Sequence, residues 1–150
     1  MGKEDGFTLI EMVCVLAIIS LLAALVLPSI SPGSTRAEME AYAVKIASLL
    51  KADRYAALRS RLPVATLLSS RARTVKSGSG SGFVQVPPGI AFDAILAQRC
   101  AGVNAGAGIA FFPSGMSCGG VIALARPGLD IEIRVNWLTG GVEIVSTAKS

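Results

Sequence analysis

The side chains that most often carry enzyme chemistry are scarce in this sequence. Histidine is absent from the 150 residues, which removes the imidazole base, the histidine-containing triads and the most common transition-metal ligand. Three cysteines cannot build a four-thiolate zinc site. A serine–lysine dyad remains available in principle as a nucleophile and base pair. We expect no enzyme activity, no catalytic residue, no bound metal and no cofactor.

One carboxylate, that of Glu11, lies within a long apolar run. Residues 7–27 contain no lysine or arginine, and apart from Glu11 only Thr8 and Ser20 are polar. A helix of about 21 residues is about 30 Å long, which is the thickness of the hydrocarbon core of a bilayer. A charged side chain there costs about 2.5 to 3.5 kcal/mol, so Glu11 needs a positive partner. That partner must come from another chain, from a lipid head group or from a newly created amino terminus.

The apolar run has three possible explanations: a retained membrane helix, a cleaved secretory signal or a buried helix of a soluble core. A secretory signal has a positive head and an apolar centre of about 7 to 15 residues. In this chain Lys3 is offset by Glu4 and Asp5, and the apolar run is longer. We therefore favour a retained membrane helix.

A cut after Gly6 would place a free ammonium group on Phe7, four residues before Glu11. A well-made pair between the two charges could offset the cost of their desolvation. The string GFTLIE at residues 6–11, followed by an apolar helix with Pro28 at its end, resembles the N-terminus of type IV prepilins and type II secretion pseudopilins. The resemblance implies cleavage between Gly6 and Phe7 by a separate prepilin peptidase, methylation of the new amine and packing of the helix into a filament. It also implies that Glu11 pairs with the amine of its own or a neighbouring subunit.

Beyond the apolar run the pattern first breaks and then becomes helical again. Pro28, Pro32 and Gly33 interrupt the first helix, and the capping-box spacing of Thr35 and Glu38 predicts the start of a second one. Up to about residue 61 the apolar residues recur at three- and four-residue spacing, which predicts one buried stripe. The stripe consists of Met39, Tyr42, Ile46, Leu49 and Leu50.

From Pro63 onward the chain shows the patterns of short strands. Residues 64–68, 83–86, 90–92 and 142–145 are predicted strands, whereas KSGSGSG at residues 76–82 is predicted to be a flexible hairpin tip or a disordered loop. Residues 94–107 have no clear period and are predicted to be a loop. Residues 129–137 alternate strictly, with Trp137 on the apolar face. Phe111, Phe112 and residues 121–125 flank a glycine-rich turn.

Helices followed by strands predict an α+β fold rather than a parallel βαβ fold. Together with the resemblance, this predicts a type IV pilin-like architecture, in which an N-terminal transmembrane and amphipathic helix packs on an antiparallel β-sheet head. The expected divisions are a leader at residues 1–6, a transmembrane helix at 7–28, a periplasmic amphipathic helix at 29–62 and the β-rich head at 63–150.

A second, narrower resemblance covers the strands that close the chain. The strings FFPSGMSCGGVIAL at residues 111–124 and IRVNWLTGGV at residues 133–142 are similar to the closing strands of minor pseudopilins of the H group and of FimT-like pilins. Major pseudopilins typically carry a calcium loop near the C-terminus. After Asp93 only Asp130, Glu132 and Glu143 are acidic. A calcium site takes about six to eight oxygen ligands, so we expect none here.

The three cysteines divide between the two parts of the chain. Cys14 lies in the membrane segment, where a thiol acts as a small apolar side chain. Cys100 and Cys118 are expected outside the cytoplasm, where they could form a disulfide closing a loop of about 18 residues and worth about 3 kcal/mol. The alternative is a pair of free thiols.

Between residues 45 and 76 eight basic residues face a single acid, Asp53. The ordinary interpretation is a solvated helix face and loop. The alternative is a basic patch around Arg71, Arg73 and Lys76 that meets acidic neighbours or DNA phosphates. Aromatic residues are 5% of the chain, and only Tyr55 lies among these bases, which argues against stacking on nucleic acid.

The resemblance thus implies a structural subunit, a minor pseudopilin of the type II secretion pseudopilus that supports export of folded periplasmic proteins. Its expected location is the bacterial inner membrane, spanned once, with the C-terminal domain in the periplasm. Its expected partners are the prepilin peptidase, other major and minor pseudopilins and inner-membrane lipid, but not nucleic acid. The alternative is a FimT-like minor type IV pilin that binds DNA during uptake.

Overall fold

The computed structural model describes residues 6–26, 35–104 and 106–148. Its contacts divide the chain into two compact units, Met1–Ser34 and Thr35–Ser150. The first unit contains helix α1, Leu9–Val26, which starts with hydrogen bonds from the amides of Glu11 and Met12 to the Thr8 carbonyl. Most of the predicted leader and the helix-breaking prolines lie outside the described residues.

A membrane-spanning helix must be both long and apolar. Within the ranges given above, no helix satisfies both requirements.

The second unit is built on helix α2, Thr35–Ser60. The helix begins at the residue that the capping-box spacing predicts, although the side chain of Thr35 is outside the description. The predicted stripe is confirmed, because Met39, Ile46 and Leu50 are fully buried and Tyr42 packs half-buried beside them. Buried Ala43 lies between them on the same face. The stripe packs on the strands that follow.

Two antiparallel sheets of four strands each complete the second unit. The strand order of the first sheet is β3-β2-β1-β7, and that of the second is β10-β9-β8-β4. The bounds of the first sheet's strands are β1 Val64–Ser69, β2 Thr74–Lys76, β3 Phe83–Gln85 and β7 Gly108–Phe111. Those of the second are β4 Ala91–Leu96, β8 Gly120–Arg126, β9 Leu129–Val135 and β10 Val142–Ala148. Strands β5, Arg99–Cys100, and β6, Val103–Asn104, form a small separate hairpin.

The core lies where α2 meets both sheets. The helix contacts β9 and β10 of the second sheet and β1, β3 and β7 of the first. Strand β9 alternates as predicted, with Ile131, Ile133 and Val135 buried. The alternation does not continue to Trp137, which is 60% exposed, because the strand ends at Val135 and a turn follows. The placement of Trp137 on the buried face was therefore wrong.

One expectation for the strands was also wrong. Residues 94–107 are not one loop, since they contain the end of β4 and the β5–β6 hairpin. Strand β4 is specified by its pairing with β8 rather than by its own pattern. Phe111 and residues 121–125 flank the glycine-rich turn but lie in different sheets, because Phe111 pairs with Val64 of β1.

The turn after β9 brings two loops into close contact. Asn136 Oδ1 accepts hydrogen bonds from the amides of Leu138 and Thr139, and the Gly140 amide donates to the Asn136 carbonyl. Gly140 has a φ of +63°, and a Cβ there would lie 2.8 Å from Arg54 Nε and closer still to the Gly115 carbonyl. Only glycine fits this position without displacement.

Gly140→Ala is therefore expected to lower the free energy of unfolding by about 2–3 kcal/mol, because backbone strain and a backbone clash add. Gly128→Ala is the matched control, since Gly128 also has a positive φ, of +85°, but a Cβ there would meet nothing within 4 Å. It should cost about 1 kcal/mol. Urea unfolding of both variants checks this, and equal losses would show that the contact with Gly115 and Arg54 contributes nothing.

Candidate functional site

The first candidate site is the segment that leads into α1. Phe7 is 78% exposed, and a Cβ built on Gly6 would meet nothing within 4 Å. Glu11 lies in the first turn of α1, where the amide groups at the helix N-terminus favour a negative charge. The segment is thus open to another protein at the step between Gly6 and Phe7. Only the earlier residues 1–5 of the predicted leader are outside the description.

Helix α1 is apolar around its whole circumference. The side chains of residues 6–23 are all exposed, including large ones such as Leu9, Val13 and Leu16. Cys14 is a free thiol among them. A helix without a polar face has no side suited to water, so it requires burial in lipid or among other helices. Helix α1 therefore acts through the packing of its side chains, and the Glu11 carboxylate is the only charged group within this helix.

The second candidate site surrounds Asp53, which is fully buried on α2. Its carboxylate accepts five hydrogen bonds. Oδ1 accepts from the Ser77 hydroxyl at 2.5 Å and from the hydroxyl and amide of Ser79 at 2.5 and 3.1 Å. Oδ2 accepts from the Thr66 hydroxyl at 2.6 Å and the Gly78 amide at 3.0 Å. The carboxylate therefore joins α2 to β1 and to the glycine-rich segment after β2.

These hydrogen bonds determine the charge state of Asp53. Burial alone would raise the pKa of its carboxyl group, but the hydroxyls of Ser77, Ser79 and Thr66 and the Gly78 amide more than compensate. The net effect holds the pKa below its ordinary value, so Asp53 is ionised at neutral pH. The ionised carboxylate thus holds α2, β1 and the glycine-rich segment together.

The glycine-rich segment is consequently better anchored than the sequence indicates. We expected a flexible or disordered tip because the segment has no apolar side chain. In the structure Ser77 is buried, and its amide donates to the Gly82 carbonyl at 2.8 Å. A Cβ on Gly78 would overlap the Ala65 carbonyl, so glycine is what lets the segment lie against β1. A polar anchor, the Asp53 carboxylate, replaces the missing apolar one.

The predicted basic patch is not a set of equivalent charges. Arg73 Nη2 donates hydrogen bonds to the carbonyls of Pro87, Pro88 and Ile90, so this guanidinium holds a turn. Arg71 and Lys76 are exposed. The guanidinium of Arg73, one of the three charges expected in the patch, is thus engaged in hydrogen bonds within the fold.

Comparisons with known proteins found a family motif in the N-terminal segment and a solved structure with a similar fold. The prokaryotic N-terminal methylation motif matches residues 1–27. The type IV minor pilin FimU of Pseudomonas aeruginosa strain PAO1 has a similar structure, with a TM-score of 0.51 and 14% identity over 76% of this chain and 92% of that one. The chain has the type IV pilin fold. No curated protein matches it significantly in sequence.

The methylation motif gives the first candidate site its chemistry. It implies processing by a prepilin peptidase, methylation of the new amine and pilin-like assembly with other pilins. It also indicates membrane anchoring of the N-terminal segment. Proteins with a pilin-like fold are generally structural.

Within this pilin-fold head, a disulfide joins Cys100 to Cys118, with their Cα atoms 5.4 Å apart. The bond ties the β5–β6 hairpin to the segment between β7 and β8. That segment is also fixed by the Ser117 amide, which donates to the Trp137 carbonyl at 2.8 Å. The disulfide therefore brings the hairpin next to the exposed Trp137.

Sequence reasoning missed the role of Asp53. From the charges alone, Asp53 is the single acid on a helix face and loop that are predicted to be solvated. A signal was present, because Asp53 follows Ile46 and Leu50 at helical spacing and precedes Ala57, so it falls on the buried stripe. An acid on such a stripe needs donors, and the Ser-Gly-Ser string supplies them.

Proposed function

We propose that this chain is a minor pseudopilin, a structural subunit of a type II secretion pseudopilus that supports export of folded periplasmic proteins. One observation carries the proposal. An open Gly6-Phe7 step leads directly into a helix that is apolar on every side and has a carboxylate in its first turn. Cleavage there creates an ammonium group close to Glu11, in the segment where the helix itself offers no cation.

The assembly step follows from the physics of such a helix. In lipid the apolar surface of the helix is already out of water. Moving the helix into a bundle of similar helices therefore gains little free energy from the hydrophobic effect. Side-chain packing and polar pairs decide helix association in a membrane. The Glu11 carboxylate and the Phe7 amine, of the same or a neighbouring subunit, form the polar pair that selects the register.

The location follows from the same proposal. The helix spans the bacterial inner membrane once, and the head lies in the periplasm. Supporting this, the head carries a disulfide between Cys100 and Cys118, which is typical of an oxidising compartment. The strings at residues 111–124 and 133–142 are similar to the closing strands of both H-group pseudopilins and FimT-like pilins, so they support a minor subunit of either system.

The second candidate is a minor type IV pilin, the class to which FimU belongs. The structural similarity to FimU supports a shared fold. The exposed side chains of Arg71 and Lys76 are available to contact DNA phosphates during uptake. The genes beside this one separate secretion from pilus assembly. A salt-dependent shift of duplex DNA by the chain, lost in an R71E/K76E variant, would favour the pilin.

The processing experiment is the intact mass of the protein extracted from its native membrane. We expect loss of residues 1–6 and the gain of one methyl group. Gly6→Leu is expected to retain the leader while the head folds normally, because a side chain at Gly6 meets no neighbouring atom. The Cys100–Cys118 disulfide, measured in the same mass spectrum, is the control for folding. A native chain that begins at Met1, or a fully processed Gly6→Leu variant, would refute the proposed processing.

A further inference from the structure

Trp137 is a large aromatic residue at the surface of the head, and its backbone is held in place. It is 60% exposed, yet its backbone is fixed from two directions. The Ser117 amide donates to its carbonyl, and Gly119, with a φ of +69°, packs so closely that a Cβ there would lie 3.1 Å from Trp137 Cβ. A fixed backbone reduces the conformational entropy that a residue loses on binding, and tryptophan is enriched among residues that dominate interface energies.

Two grooves flank this side chain. The first has a volume of about 630 Å³ and is lined by Ile95, Leu96 and Val121, with Ile95 71% exposed. The second, of about 580 Å³, is lined by Phe112, Met116 and the Cys100–Cys118 disulfide. Trp137 and Cys118 belong to both grooves, so they form the ridge between them. Adjoining apolar grooves exposed to solvent are typical of a binding surface.

The charges around the grooves indicate the chemistry of the occupant. Arg99 lines the second groove, is exposed, and has no ion-pair partner among the residues that the structure describes. Arg134, which lines the first groove, is already paired with Glu132 at 2.7 Å. The described lining of the first groove also includes the acid Glu143, whereas that of the second groove includes no acid. A carboxylate of the occupant therefore complements Arg99, while its apolar side chains fill the grooves.

We propose that the Trp137 surface, meaning the two grooves and Arg99, binds a segment of a partner protein that presents apolar side chains on both sides of Trp137 and a carboxylate to Arg99. Among the described lining residues of the second groove Arg99 is the one cation, which suits one carboxylate, whereas a nucleic acid or an anionic membrane requires several cations together. The Cys100–Cys118 disulfide holds the hairpin that carries Arg99 against the second groove. This surface belongs to the head alone, so its function does not depend on the cleavage at Gly6.

The chain contains a single tryptophan, so its fluorescence reports directly on this surface. The full chain in maltoside micelles is titrated with a 12-residue peptide, free of tryptophan, that contains leucines and two aspartates. The comparison peptide has lysines in place of the aspartates. We expect a saturable blue shift with the aspartate peptide and at least about tenfold weaker binding of the lysine peptide, as the loss of a charge-assisted hydrogen bond predicts.

Variants make the assignment specific. Arg99→Glu is expected to weaken binding of the aspartate peptide at least about tenfold and to reverse the preference toward the lysine peptide. Phe83→Ala is the matched control, since Phe83 is a 56% exposed aromatic residue in the other sheet, and it should leave binding unchanged. Absence of a saturable shift, or equal binding of both peptides, would overturn the proposal. A shift produced only by phosphatidylglycerol or by duplex DNA would overturn it in favour of that occupant.

Discussion

Replacing Asp53 by alanine is expected to lower the free energy of unfolding of the head by about 3–5 kcal/mol. The substitution removes the acceptor of five hydrogen bonds in a fully buried place. The hydroxyl of Thr66 and the groups of the Ser77–Ser79 segment would then be left without their acceptor, and each such group costs free energy. Urea unfolding of the full chain, followed by circular dichroism, measures the loss.

Two further variants separate the charge from the shape. Asp53→Asn keeps the size and one carbonyl oxygen but replaces the other acceptor by an NH2 group that faces donors, so an intermediate loss is expected. Asp93→Ala is the control, because Asp93 is an exposed acid whose one observed hydrogen bond is to the amide of Ala94. It should change the stability by less than about 0.5 kcal/mol. If Asp53→Ala proved as stable as Asp93→Ala, the hydrogen bonds around Asp53 would contribute nothing.

The pH dependence of unfolding reports on the same carboxylate. The pKa of Asp53 is lower in the folded head than in the unfolded chain, so the folded state binds this proton less readily. The stabilisation is therefore fully present above the unfolded pKa of about 4 and is lost as the pH falls through the folded value. Asp53→Asn should remove this part of the pH dependence, so its stability should vary less than that of the native chain below about pH 4.

The parts of the fold that were predictable have patterns contained within one element. The three- and four-residue spacing of Met39, Tyr42, Ile46 and Leu50 predicts the buried face of α2. The alternation of Ile131 and Ile133 predicts β9, because burial of one face repeats with the period of the element. The GFTLIE string likewise lies in one short segment. Such local patterns can be interpreted without knowing which elements pack together.

The unpredicted parts depend on contacts between distant residues. The second half of β4, residues 94–96, was predicted to be a loop but lies in the ladder with β8, in which Ala94 faces Ile122. The glycine-rich segment is held by Asp53, which is 24 residues before Ser77. Trp137 is exposed because a turn begins at Asn136, and the turn is fixed by its contact with Gly115. Contacts between distant residues determine the structure at these positions, and a single sequence does not show which distant residues are in contact.

Replacing Glu11 by leucine is expected to permit membrane insertion and cleavage after Gly6 but to prevent incorporation into filaments. Leucine removes the insertion cost of about 2.5 to 3.5 kcal/mol that the carboxylate carries. It also removes the proposed partner of the Phe7 amine, which is then left as an unpaired charge between packed helices. Loss of a pair worth only about 1.4 kcal/mol corresponds to about a tenfold loss in assembly. The measurement is the fraction of mature subunit recovered in sheared filaments.

Ser20→Leu is the matched control for this prediction. Ser20 lies on the same helix, and its hydroxyl donates a hydrogen bond to the Leu16 carbonyl at 2.7 Å. Replacing Ser20 by leucine therefore removes a polar group but no charge. It should reduce incorporation much less than Glu11→Leu does. Equal incorporation of both variants would show that the carboxylate does not select the register. Glu11→Asp, which keeps the charge on a shorter side chain, should then distinguish distance from charge, because an ion pair stabilises only when its geometry is good.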